Sequence, residues 1–165
     1  MTIRTVLKAV FIAATVFLLV FIFVMSAEPA EESAEISLSV DFTLCRLFRP
    51  DFDSLSEEEQ LKIAAKTDHF VRKTAHFLEF TALGALICAD FLLFDIKWYK
   101  SLIFALLSGA AVAASDEIHQ IFVAGRSCEI KDMLLDFTGV LTGCLISLLI
   151  LFITVSIKKK RSKTA

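Results

Sequence analysis

The feature that most constrains this chain is the apolar run from Val6 to Met25, basic only at its start, where Arg4 and Lys8 stand. About 20 such residues match the roughly 30 Å hydrocarbon core of a bilayer, and they have no place on the wet surface of a small soluble domain. A cleaved leader is the rival reading, because the small residues Ser26, Ala27 and Ala30 follow the run. The run is longer than the apolar core of a usual leader, and Met25 suits a cleavage site badly, so a retained helix is expected.

Three further stretches have the same character: about 77–94, 101–119 and 133–157. Apolar residues make up 56% of the chain, and its aromatics are sixteen Phe against one Trp and one Tyr. That excess is greasy rather than amphipathic, and a typical soluble domain stays nearer 45–50% apolar. The expectation is an all-α integral membrane protein. It is a single domain, 1–165, built as a bundle of four transmembrane helices.

Between the first two spans, residues 26–66 turn polar and acidic, with Glu28, Glu31, Glu32, Glu35, Asp41, Asp51, Asp53, Glu57, Glu58 and Glu59. This segment reads as an extracytoplasmic loop. Ser54 and Ser56 each precede a Glu by three positions, the spacing of a capping box. A short surface helix carrying Leu61, Ile63, Ala64 and Ala65 along the membrane is therefore predicted. Trp98 and Tyr99, in the basic link before the third span, are aromatics of the kind that sit at a membrane interface.

Four crossings return the chain to the side where it began. Arg4, Lys8, Lys97, Lys100 and the tail Lys158-Lys159-Lys160-Arg161 would put both termini in the cytoplasm by the positive-inside rule. The outer segment also carries Arg46, Arg49, Lys62, Lys66, Arg72 and Lys73, but charge counts bind less in longer loops.

With that topology the ionisable residues near lipid gather at the outer face. His69, Arg72, His76 and Glu79 recur at spacings of three and four, one stripe of a helix. Asp116, Glu117, His119 and Gln120 close the third span, Arg126 and Glu129 follow in the loop, and Lys131, Asp132 and Asp136 open the fourth. Below them Gly139 and Gly143 form a small-xxx-small pair that lets a neighbouring helix come close. A charge at membrane depth costs about 2.5–3.5 kcal/mol on insertion scales, so these groups must face inward. There they meet cations, hold protons or open onto water. His76, Glu79, Asp116, Glu117, Gln120, Arg126, Asp132 and Asp136 are the candidate ligand-binding residues. Glu79, Asp116 and Glu117 are the candidates should there be acid–base catalysis.

No HExxH or comparable spacing supports zinc at His76, His119, Asp116 or Glu79, and no metal or cofactor is expected. Ser115, Ser127 and Cys128 have no spacing that places them beside a His as nucleophiles. The four Cys show no CxxC; Cys45 and Cys128 fall on one side, which leaves a disulfide open. Nothing suggests nucleic-acid binding, and the basic tail suits anionic lipid.

The stretch Ser115-Asp116-Glu117-Ile118-His119-Gln120-Ile121-Phe122-Val123-Ala124-Gly125-Arg126-Ser127, continuing to Asp132 and Asp136-Phe137-Thr138-Gly139, resembles the signature of VanZ-like membrane proteins. Lys73-Thr74-Ala75-His76-Phe77-Leu78-Glu79-Phe80 is similar to their other signature, and Ser26 to Ser33 resembles their acidic stretch after the first helix. Phe80 stands where Tyr is expected and Ala124 where Pro is frequent, so no tyrosyl hydroxyl can act at position 80. The resemblance implies a protein of the bacterial cytoplasmic membrane and cell envelope; the family's namesake is associated with resistance to the glycopeptide teicoplanin. Two functional expectations stay open. One is a binding protein that engages a polar headgroup, a lipid-linked wall precursor, a glycopeptide or a partner protein through the outer cluster. The other is a small intramembrane enzyme acting on such a precursor, with Glu117 or Glu79 as general acid or base. Transport through a homo-oligomer ranks last, because the polar residues crowd one side.

Overall fold

The computed structural model describes residues 2–164, which fold into five helices and one short 3-10 turn. Helix α1 is Ile3–Ser26, α2 Ala30–Phe48, α3 Glu57–Leu93, α4 Trp98–Gln120 and α5 Ile130–Thr164; the turn Phe52–Ser54 lies between α2 and α3. The described residues contain no strand. Four of the helices, all but α2, are long and apolar enough to cross a membrane, so the chain is a multi-pass membrane protein.

The expected surface helix differs in extent. Its start is where the spacing placed it: Ser56 Oγ accepts the Glu59 N–H at 3.4 Å, and Glu59 Oε2 accepts the Ser56 N–H at 3.2 Å, a complete capping box. The helix then runs without interruption to Leu93, because no proline stands between Glu57 and Leu93. At 1.5 Å per residue α3 is about 55 Å long, well beyond a bilayer core of about 30 Å. Its polar first half extends past the apolar half. The remainder of the polar segment holds the additional helix α2, which packs along that protruding half of α3: Ser37 donates to Asp68, and Cys45 Sγ lies 3.5 Å from Thr67 Oγ1.

Contacts fix the two ends of the bundle. At one end Arg4 pairs with Asp95, Lys8 lies 4.3 Å over the Phe94 ring, and Trp98 packs edge-on against Phe152. The start of α1, the α3–α4 turn and the later part of α5 therefore share this end. The end of α1, the end of α4 and the start of α5 meet at the other, beside the middle of α3.

The core is narrow, with Ile22, Phe80, Leu83, Ile87, Cys88, Val140 and Cys144 at its centre. Large apolar side chains such as Phe17, Leu107 and Leu149 point outward, as lipid-facing residues do. The α3–α5 seam is the tightest. A Cβ at Gly143 would fall onto the Thr81 carbonyl, and one at Gly139 would lie 2.7 Å from the Phe77 carbonyl. Gly84 abuts the Val140 backbone from the opposite helix. With no hydrophobic force between helices in lipid, such backbone approach is a main source of cohesion.

Candidate functional site

A cavity of about 140 Å³ opens at the end of the bundle remote from the termini. Its lining includes His76, Glu117, Gln120, Arg126, Asp132 and Asp136, together with His69, Arg72 and Lys73. A second, more apolar hollow adjoins it, shared by His76, Arg72 and Arg126 and extended by Glu79, Glu28 and Val71. Asp116 lies fully buried close to His76 and Asp136. All eight candidate residues thus occupy one neighbourhood.

The partners differ from simple ion pairing. Asp116 Oδ2 accepts the Ser26 hydroxyl at 2.9 Å and the Gln120 amide at 3.1 Å, binding the end of α1 to α4. Glu117, only 2% exposed, accepts the Glu129 backbone N–H at 2.9 Å. It thereby closes the loop between α4 and α5. Lys73 pairs with Asp132 and ties α3 to α5. Arg72 Nε sits 3.5 Å from Asp68, one turn back on α3. His76 and Glu79 share a stripe without bonding to each other, and among the described residues Glu79 makes no hydrogen bond or ion pair. His76 Nδ1 instead approaches Asp136 Oδ1 at 4.0 Å.

The loop's course is set by Gly125, whose φ of +74° lies in the left-handed region that glycine enters at no steric cost. Next to it the Ala124 carbonyl accepts the Ala30 N–H at 3.1 Å, anchoring the loop to the start of α2. Arg126 follows directly and donates from Nε to the Glu28 carbonyl at 3.3 Å. No carboxylate lies within ion-pair distance of its guanidinium among the described residues. Burial, and then the neighbouring Arg72, lowers its pKa from the ordinary value, against the opposing pull of Asp116, Glu28 and Asp68.

Other expected chemistry is not assembled. His119 packs edge-to-face on Phe23, ring centres 6.0 Å apart, and stands outside the cavity lining. The Ser115 hydroxyl turns back to the Ala111 carbonyl, so it is not set up as a nucleophile. Cys45 is buried, Cys128 is exposed, and both are free thiols.

Two features escaped the sequence reading. Asp90, inside the second span, accepts the Thr15 hydroxyl at 2.7 Å and clips α1 to α3. Asp41 on α2 is buried beside Asp68 and Ser37; burial first, then Asp68, pushes its carboxyl above the usual range. A lone acid inside an apolar run was the available signal for Asp90. For Asp41 there was none until α2 is known to pack on α3.

No curated protein and no solved structure matches the chain. The model of the VanZ/LLP1 family matches residues 11–152, which takes in the second and third spans, most of the first and fourth, and every residue of the cavity, and the chain belongs to that family.

Proposed function

We propose that this VanZ-family protein is a non-enzymatic binding protein of the bacterial cytoplasmic membrane. Both termini face the cytoplasm, and the cavity opens on the outer side. Its ligand is the anionic group of a lipid headgroup or lipid-linked wall precursor, and through it the protein contributes to resistance against teicoplanin-type glycopeptides. The orientation rests on Arg4, Lys8, Lys97, Lys100 and the basic tail, which occupy the end away from the cavity.

One observation carries the reading: Arg126 is a part-buried guanidinium that donates to a carbonyl and, among the described residues, has no carboxylate within ion-pair distance. Its free N–H groups form the planar fork that suits phosphate or carboxylate, and a cation so placed gains most from an anionic guest. Arg72 lines both cavities but is paired with Asp68, so Arg126 is the cation left to meet the guest. The test scores teicoplanin susceptibility and membrane abundance together in cells carrying Arg126→Ala and Arg126→Lys. Lost protection at wild-type abundance supports the reading, with partial function in the lysine variant. Unchanged protection by Arg126→Ala removes it.

A second reading is supported by Glu79, a carboxylate that lines the hollow beside Arg126 and makes no hydrogen bond or ion pair among the described residues. In a small intramembrane enzyme it would act as general acid or base, with Arg126 stabilising developing negative charge. Glu79→Gln would then abolish turnover of a wall-precursor substrate by the purified protein while leaving its folding intact.

A further inference from the structure

Three side chains from three helices converge at the cavity's inner end. His76 of α3, Asp116 of α4 and Asp136 of α5 each offer a ligand atom, and these atoms lie within 4.8 Å of one another. Asp116 is 0% and Asp136 1% exposed. Each keeps one oxygen, Asp116 Oδ1 and Asp136 Oδ2, with no hydrogen-bond partner among the described residues. A buried carboxylate oxygen left alone is costly whether the group is ionised or protonated, since an O–H would also need an acceptor.

The charge balance points the same way. Glu79 and Glu117 add to the negative side of this neighbourhood, while Lys73 is already matched by Asp132 and Arg72 by Asp68. Among the described residues Arg126 makes no ion pair within reach of this neighbourhood. Two buried carboxylates beside a histidine call for a positive charge that the side chains supply only in part.

We propose that His76, Asp116 and Asp136 form a divalent-cation site, with zinc the metal this donor set fits best. Imidazole together with carboxylates suits zinc over magnesium or calcium, which favour oxygen donors alone. Zinc bonds of about 2.0–2.2 Å place tetrahedral ligand atoms roughly 3.4 Å apart. The donor atoms lie within 4.8 Å of one another, with His76 Nδ1 4.0 Å from Asp136 Oδ1, and rotation of the Asp136 carboxylate presents either of its oxygens to the metal. The hydrogen bonds from Ser26 and Gln120 hold Asp116 Oδ2 and leave Oδ1 for the metal, the kind of outer support that orients a metal-bound carboxylate. Three protein ligands leave a fourth position open, as in zinc sites that take water or a guest. The site stands independently of anion binding at Arg126.

The experiment uses the full chain in lipid nanodiscs, its affinity tag removed and its metal stripped, titrated with Zn2+ by calorimetry and with Co2+ by visible absorption. One equivalent of zinc is expected, with a tetrahedral Co2+ spectrum that zinc displaces. His76→Ala, Asp116→Asn and Asp136→Asn should each weaken zinc binding about a hundred-fold or more, since even losing an outer supporting group costs 10–100-fold. His119→Ala, which alters a ring packed on Phe23, should bind zinc as wild type does. Thermal midpoints taken without metal confirm that each variant is folded, and Asp136→Asn loses a buried charge, so it is expected to fold. Absence of saturable zinc binding in the wild type would overturn the site. So would binding that survives in both His76→Ala and Asp136→Asn, or binding abolished by His119→Ala.

Discussion

The Ser26 hydroxyl donates to the Asp116 carboxylate at 2.9 Å, joining the last residue of α1 to the final turn of α4 where both are almost fully buried. The first span is thereby part of the site's wall. Its contribution is a single short side chain placed where the helix leaves the apolar layer.

Ser26→Ala removes that bond and leaves Asp116 with Gln120 alone. Hydrogen bonds to charged groups contribute about 1.5–3 kcal/mol, and about 1 kcal/mol shifts the melting temperature of a chain this size by roughly 2–4 °C. A fall of at least that size is expected in the thermal midpoint of the purified protein. A midpoint unchanged within error would show that the contact is energetically idle.

The α3–α5 seam should tolerate no added bulk at Gly143. A Cβ there would collide with the Thr81 carbonyl, a backbone atom that cannot swing aside. Overpacking costs about 1–3 kcal/mol in ordinary cores, and Gly143→Ala should reach the upper end of that range. Gly139→Ala, 2.7 Å from the Phe77 carbonyl, should cost less. Membrane abundance and thermal midpoint measure both, and the reverse ranking would contradict the close approach.

Asp41 lends stability a definite pH dependence. Its folded-state carboxyl is raised, by burial and then by Asp68, so the folded chain holds this proton more tightly than the unfolded chain does. Its contribution is most favourable below the ordinary value of about 3.9 and is lost as pH rises through the raised value. Asp41→Asn should therefore stabilise the protein at pH 7, by roughly 2–4 °C for each 1 kcal/mol recovered. The gain should vanish near pH 4. An equal gain at both values would mean that charge is not the cause.

Cys128 is the natural reporter of sidedness, because it is exposed while Cys45, Cys88 and Cys144 are buried. A membrane-impermeant maleimide added to intact cells should label the wild type and fail to label Cys128→Ser. Labelling only after the membrane is permeabilised would reverse the proposed orientation and put the cavity in the cytoplasm.

The membrane architecture was legible because length and apolarity alone define a span, and nothing else in these stretches competes with that signal. Helix α2 was not, since its acids Glu31, Glu32 and Asp41 read as a solvated linker; Glu31 and Glu32 are indeed exposed, and only Asp41 is covered once α3 extends far enough to reach it. The junction between the expected surface helix and the second span was a change of composition at an unbroken helix, and composition carries no hinge.

At the site, convergence could be read from polar residues recurring near the same end of three spans. Pairing could not. Asp116 and Glu117 are sequence neighbours yet serve a hydroxyl and a backbone N–H on different elements, and His119 turns to Phe23. His76, Asp116 and Asp136 come together only because of how three helices cross, a relationship that local spacing does not encode.

The uninterrupted course of α3 has a mechanical corollary. The segment that meets α2, the turn that bears His76 and the stretch that ends beside Arg4 and Asp95 are one stiff beam, with no joint at which strain could dissipate. Any tilt imposed on this beam near His76 is therefore carried along the helix to the end where Arg4 meets Asp95.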